Sequence, residues 1–180
     1  VVCYCEPRMR APRPCLRQLA VNGYRDSDFA LAKKRTLPVG LDELASKHLG
    51  IDALRPGQEA GWSALLAGRD TLVVMPTGGG KSAIYQMAAL LLPGTTLVVS
   101  PLIALQRDQA NAIEVQDVGS AAVLNSTLGQ AAREEVLAAL EQGTIEFLFL
   151  APEQLANEDT LARIQAAKPS LFVVDEAHCI

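Results

Sequence analysis

The stretch MPTGGGKSAIYQ, residues 75–86, follows the apolar run TLVVM (71–75) and precedes a run of helix-forming residues. Three consecutive glycines let the backbone turn tightly and point its N–H groups at one anion. A helix that starts directly after the loop adds the positive end of its dipole. Lys81 can reach the β- and γ-phosphates of a nucleotide, and the Ser82 hydroxyl can ligate Mg²⁺. The stretch therefore predicts a phosphate-binding loop.

The loop departs from the strict P-loop pattern G-x4-G-K-[ST], because Met75 stands where the first glycine belongs. The alternative interpretation is a glycine-rich turn with an incidental lysine. The strand-like run before the loop and the helix-like run after it favour the phosphate site.

Apolar runs bounded by turn residues recur along the chain from about residue 37. They cover residues 71–75, 95–100, 121–125, 145–150 and 171–175. Helix-like stretches lie between them, and strands that are apolar throughout are typical of a parallel sheet buried on both faces. The pattern predicts an α/β fold with right-handed crossovers, in which ligands gather at the carboxyl ends of the strands.

The run LFVVDEAHCI (171–180) places two acids directly after an apolar strand. Asp175 at the strand tip can hold Mg²⁺, and Glu176 can polarise the water that attacks the γ-phosphate. A strand that simply ends in a polar turn is the alternative for a single acid. Two acids and His178, together with the glycine–lysine loop, predict a nucleoside triphosphatase.

The charge of the chain is unevenly spread. Residues 1–40 carry eight basic and three acidic side chains, whereas residues 41–180 carry eight basic and seventeen acidic ones. Binding of nucleic acid by an acidic domain requires individually placed groups, because phosphate neutralisation needs clustered Lys and Arg. No apolar run approaches the roughly 20 residues of a membrane span, so we expect a cytoplasmic protein without membrane contact, associated with the nucleoid if it is bacterial.

Residues 1–36 contain three prolines, scattered arginines and no sustained periodicity, so we expect a disordered extension there. The first residue is Val1, which favours a linker, a processed start or a misassigned upstream stretch. Cys3, Cys5 and Cys15 lack the usual C-x2-C spacing. They are either three ligands of a zinc site or reduced thiols.

Several segments together resemble RecQ-type DNA helicases of superfamily 2, in order and spacing, over about residues 41–180. They are LRPGQEAGWSALLAGRD (54–70), MPTGGGKS (75–82), SPLIALQRDQ (100–109), LAPEQL (150–155) and DEAHCI (175–180). The resemblance implies a RecA-like P-loop NTPase domain over residues 37–180 that uses ATP and Mg²⁺.

The resemblance also implies roles for residues of the nucleotide site. Arg55 and Gln58 would lie at the adenine, with Gln58 reading the edge of the base; an ordinary helix N-terminus is the alternative. Residues 77–82 would bind the phosphates, namely Thr77, Gly78, Gly79, Gly80, Lys81 and Ser82. Ser82 and Asp175 would hold Mg²⁺, Lys81, Asp175 and Glu176 would serve catalysis, and His178 would couple the ATP and DNA sites.

The same resemblance implies a single-stranded DNA contact after the second strand-like run. Its residues would be Ser100, Gln106, Arg107 and Gln109, with LAPEQL lining the same path and Asn125 and Ser126 as weaker candidates. A solvated helix face is the alternative. The family usually has a large aromatic residue before RPGQ; here Ile51 stands there, so we expect apolar contact and polar groups to hold the base.

DEAHCI is followed by no further residues in this sequence, so we expect the ATP-binding lobe of a two-lobed motor, inactive by itself, with the last strand left as an open sheet edge. The expected partner is DNA, as single strands and duplex junctions. Two alternatives remain open: an ATP-binding module without turnover, and an RNA helicase of the same superfamily.

Overall fold

The structure is a computed structural model that describes residues 2–5, 41–76 and 78–177, with side chains from Ala45 onward. The strands in these ranges are Val2–Cys5 (β1), Thr71–Leu72 (β2), Thr96–Val99 (β3), Ala121–Leu124 (β4), Phe147–Leu150 (β5) and Leu171–Val174 (β6). The helices there are Leu41–Leu49 (α1), Gln58–Leu66 (α2), Lys81–Leu91 (α3), Ile103–Val115 (α4), Gln130–Glu141 (α5) and Glu158–Ala167 (α6). A 3₁₀-helix covers Pro152–Ala156.

The strands form one sheet in the order β2-β1-β6-β3-β5-β4. Strands β6, β3, β5 and β4 run parallel to one another, and every residue of β3, β5 and β6 is buried. The predicted α/β fold, with a largely parallel sheet between helices, is confirmed.

The four parallel strands end in register. Val99 pairs with both Val174 and Leu150, and Leu150 pairs with Leu124. The residues that follow the strands therefore form one row across the sheet: Asp175, Ser100, Ala151 and Asn125. This row, the carboxyl row below, lies at the edge where a parallel sheet collects its ligands.

Helices cover both faces of the sheet because successive strand residues point to opposite sides. Val98 belongs to one apolar cluster with Trp62, Ile84 and Met87, from α2 and α3. Its neighbour Leu97 belongs to the other cluster, which includes residues of α5 and α6.

A membrane-spanning helix, which would have to be both long and apolar, does not occur in the described ranges.

The strand β1 is the main difference from the sequence-based expectation for the start of the chain. Val2–Cys5 pairs antiparallel with β6 over four residues and with β2 over two. The run VVCYC is rich in residues that favour strands, and the first proline comes only at Pro7. Residues 6–40 lie outside the described part, as does Cys15, so the expected extension stays a prediction there.

Two further expectations about strands are wrong. β6 is no open edge, because β1 lies along one side of it and β3 along the other. The run 71–75 is not a strand buried on both faces, because only Thr71–Leu72 pairs, at the edge of the sheet, and Leu72 and Val74 are 68% and 86% exposed.

Helices α5 and α6 are joined at the surface by Arg163. Its guanidinium contacts Glu141 at 2.5 Å and Glu134 at 2.8 Å. The hydrogen bond from Arg163 holds the pKa of Glu141 below its usual range. Both ion pairs link α5 to α6, because the two glutamates lie in α5 and Arg163 lies in α6.

Candidate functional site

The glycine loop connects β2 to α3, as the sequence predicts. Gly80 has φ +83°, and a Cβ there would lie 2.6 Å from Gln58 Nε2. A Cβ on Gly79 would lie 2.8 Å from the Pro76 carbonyl oxygen. These two positions favour glycine: a Cβ would meet a backbone carbonyl at Gly79, and at Gly80 it would need an unfavourable backbone conformation and displace the Gln58 amide. Thr77 lies outside the described residues.

Lys81 begins α3 and folds back over the loop. Its Nζ donates to the Met75 carbonyl oxygen at 3.4 Å. The ammonium group therefore stands over the start of the loop, at the N-terminus of a helix. Both features favour an anion at this place.

Arg55 and Gln58 form hydrogen bonds to the glycine loop, and this pair of side chains is called the brace. Gln58 is 1% exposed; its Oε1 accepts from the Arg55 N–H at 2.8 Å and its Nε2 donates to the Gly80 carbonyl at 3.0 Å. The Arg55 guanidinium donates to the Gly78 carbonyl. Both side chains thus tie α2 and its leading turn to the phosphate loop.

A cavity of about 270 Å³ lies beside this brace. It is lined by Gly50, Ile51, Asp52, Ala53, Arg55, Gln58 and Gly80. The cavity joins the loop to the residues that the sequence places at the adenine. Ile51 supplies apolar surface there, where the resembling family has an aromatic ring.

Asp175 is the first residue after β6 and is 2% exposed. Its Oδ1 accepts from the Glu176 N–H at 2.9 Å, and its Oδ2 accepts from Gln109 Nε2 at 3.1 Å. Glu176 has φ +47°, a left-handed conformation that is uncommon outside glycine and clusters at functional sites. His178 lies outside the described residues.

The loop and the strand tip meet at Gln109. The same Nε2 that contacts Asp175 lies 3.4 Å from Ser82 Oγ. One hydroxyl and one carboxylate oxygen therefore lie within 3.4 Å of the same amide nitrogen. These hard oxygen ligands fit Mg²⁺, which binds through one or two protein groups and keeps waters and phosphate oxygens. Among the described residues no group of three His, Cys, Asp or Glu side chains could hold a metal, so a cage made by protein alone is absent there.

The predicted DNA contacts separate into different places. Ser100 and Gln106 are both 0% exposed, and Gln106 Nε2 donates to the Ser100 carbonyl at 2.6 Å. Gln106 Oε1 accepts from Asn125 at 3.4 Å. These residues join the ends of β3 and β4, and the expectation that Ser100 and Gln106 touch DNA directly is not supported, because neither has accessible surface.

Arg107 is exposed and donates to Thr127 Oγ1 at 2.6 Å. Gln109, which was also predicted to touch DNA, faces the acid site instead. The sequence contains a signal that Gln106 and Gln109 face inward. Gln106 lies in helical phase with the buried Ala110 and Ile113, and Gln109 follows Gln106 by three residues, so the two share one face of the helix.

The LAPEQL segment is held by Arg133, a residue that sequence reasoning missed. Arg133 donates to Gln154 Oε1 at 2.5 Å and to the Thr160 hydroxyl. Gln154 and Thr160 are buried. The guanidinium thus joins α5, the 3₁₀-helix and α6.

Together the parallel sheet, the strand–loop–helix unit and the acid at the end of β6 define a RecA-like P-loop NTPase domain. Residues 55–180 match the DEAD/DEAH box helicase family. Because the match covers more than half of the chain, the chain belongs to this family.

Curated relatives agree with the resemblance to RecQ-type helicases. The chain is 44% identical over 142 residues to "ATP-dependent DNA helicase RecQ" of Synechocystis sp., covering 78% of this chain and 30% of that protein. It is 38% identical over 140 residues to "Probable ATP-dependent DNA helicase RecS" of Bacillus subtilis, covering 78% and 28%. It is 39% identical over 163 residues to "ATP-dependent DNA helicase Q-like 5" of Arabidopsis thaliana, covering 88% and 18%. The chain thus spans less than a third of the length of these relatives.

Proposed function

We propose that the chain is the ATP-binding lobe of a RecQ-like DNA helicase, which couples ATP hydrolysis to 3′-to-5′ unwinding. The observation that carries the proposal is the contact of one amide nitrogen with both Ser82 of the glycine loop and Asp175 of the strand tip. Two segments far apart in sequence thereby form one site for phosphate and cation. The relatives are named as ATP-dependent DNA helicases, and the 3′-to-5′ direction is what the resemblance to RecQ-type helicases implies.

Each residue of the proposed site has its own role. The loop N–H groups and Lys81 bind the phosphates, and Ser82 and Asp175 hold Mg²⁺, which when bound neutralises charge on the phosphate oxygens. Glu176 orients the attacking water and takes up its proton. Arg55 and Gln58 hold the loop and line the cavity next to Ile51 that would receive adenine. Thr77 and His178 keep the phosphate-binding and coupling roles expected from the sequence.

DNA binding is proposed for the exposed side of α4. Arg107 is the predicted contact residue with an accessible cationic group, and Thr127 beside it adds a hydroxyl. A domain with acidic balance contacts a strand through such placed groups. We further propose single strands and duplex junctions as substrates, and the cytoplasm, or the nucleoid in bacteria, as the place of action.

Nucleotide binding tests the proposal. Lys81→Ala should weaken Mg-ATP binding by about 10- to 100-fold, since hydrogen bonds to charged groups contribute about 1.5–3 kcal/mol. Lys47→Ala is the matched control, because Lys47 is an exposed lysine on α1. Calorimetry on the 180-residue chain measures both. Equal affinity in the wild-type and Lys81→Ala proteins, or no binding at all, contradicts the proposal.

A further inference from the structure

Gln109 is the residue of α4 that reaches the acid site, and only half of its amide is satisfied. Nε2 donates to Asp175 Oδ2 at 3.1 Å and lies 3.4 Å from Ser82 Oγ. Oε1 is buried and has no hydrogen-bond partner among the described residues. An unsatisfied buried acceptor costs about 1–3 kcal/mol, so this atom calls for a donor that the described residues do not supply.

The orientation of the amide follows from its partner. An ionised carboxylate only accepts hydrogen bonds, so the nitrogen of Gln109 must face Asp175 and the oxygen must face away from it. The other oxygen of Asp175 accepts from the Glu176 N–H at 2.9 Å. Each carboxylate oxygen of Asp175 is therefore held by one donor, which fixes the plane of the carboxylate.

The helix around Gln109 is itself fixed. Gln106, one turn earlier, is buried and tied to the Ser100 carbonyl at 2.6 Å. Ala110 and Ile113 pack in the core. Gln109 therefore approaches Asp175 from a rigid element, which is the condition for a side chain that orients a ligand.

We propose that Gln109 is a positioning residue for Mg²⁺ in the nucleotide site. Its Nε2 holds Asp175 in the orientation that binds the cation, and its Oε1 accepts a hydrogen bond from a water of the hydrated ion. Mg²⁺ suits this arrangement because it keeps several waters when protein carboxylates bind it. The inference rests on the proposed nucleotide site and assigns to Gln109 a role at the cation in place of a DNA contact.

Calorimetry of ADP binding to the whole chain, with Mg²⁺ and with EDTA, tests the role. Gln109→Ala should reduce the Mg²⁺-dependent gain in ADP affinity by about 10- to 100-fold, the usual loss when a supporting partner of a metal ligand is removed. ADP affinity in EDTA should stay unchanged. Gln109→Met, which keeps the length without hydrogen bonds, should behave alike and guards against a folding defect. Asn111→Ala, an exposed amide on the same helix, is the control and should match wild type.

The outcomes separate the two proposals. If wild type gains affinity with Mg²⁺ and both Gln109 variants gain as much, the inference is overturned and the nucleotide site stands. An equal loss with Mg²⁺ and in EDTA also overturns it, because Gln109 would then only support the fold. A wild-type chain that binds no ADP in either condition overturns both proposals.

Discussion

Gly80 is the residue at which the loop is least tolerant of change. Its backbone is left-handed, and a Cβ would lie 2.6 Å from Gln58 Nε2. Gly143 also has a left-handed backbone, φ +66°, but a Cβ there would meet nothing within 4 Å. The two glycines therefore separate the cost of the backbone conformation from the cost of disturbing the brace.

We predict that Gly143→Ala lowers the free energy of unfolding by about 1–2 kcal/mol, the usual cost of a left-handed residue with a Cβ. Gly80→Ala should cost more than this, because its Cβ also displaces the Gln58 amide. Only Gly80→Ala should also lose Mg-ATP binding. Adding Gln58→Ala removes the clashing atom and should lower the stability cost of Gly80→Ala. Denaturant unfolding and calorimetry measure these effects. Retained ATP binding in Gly80→Ala would show that the loop does not need the brace geometry.

At the scale of one element, α4 has two functional sides. Gln106 and Gln109 face inward, three residues apart, and Arg107 faces solvent between them. The helix therefore touches the proposed cation site on one side and carries the proposed DNA contact on the other. A strand bound at Arg107 and a nucleotide bound near Gln109 share one rigid body.

Arg107→Ala should weaken binding of single-stranded DNA and reduce the magnitude of the slope of log K against log salt by about 0.7, the value for one phosphate contact on a single strand. Arg163→Ala is the control, because Arg163 is an arginine engaged with Glu134 and Glu141 on another pair of helices. Fluorescence anisotropy across a salt series measures both. An unchanged slope in Arg107→Ala would exclude this phosphate contact.

The sequence predicted the parallel sheet because its strands are continuous apolar runs. It predicted the glycine loop between β2 and α3 because three glycines and a lysine separate a strand-like run from a helix-like run. It did not predict β1: the run VVCYC favours a strand, but nothing in it indicates pairing with β6, which lies far along the chain. It also did not assign the sides of α4, although the spacing of Gln106, Ala110 and Ile113 carries that information. Local sequence patterns thus predicted the helices and strands. The pairing of distant strands and the direction of the α4 side chains were seen only in the structure.

At the scale of the whole molecule, β1 is the strand that connects the phosphate loop to the sheet. β2, which leads into the loop, pairs with β1, and β1 pairs with β6. Deleting residues 1–5 should therefore lower the melting temperature by about 5 °C or more, since about 1 kcal/mol corresponds to 2–4 °C in a domain of this size.

The same deletion should weaken Mg-ATP binding, because β2 loses its neighbour. Removal of Val1 alone is the control and should change neither quantity. Differential scanning calorimetry and nucleotide titration measure the two effects. A deletion of residues 1–5 that leaves both at wild-type values would show that β1 contributes nothing to the site.

The carboxyl row also determines where the chain can change length. A residue deleted within β3 or β6 would withdraw Ser100 or Asp175 from the row by about 3.3 Å and turn the following side chains to the opposite face. Insertions before the amino ends of the parallel strands, for instance around Gly94 before β3 or Gly143 before β5, leave the row intact. Length variation among relatives should therefore be confined to one rim of the domain, and an alignment that opens a gap inside these strands would be misplaced.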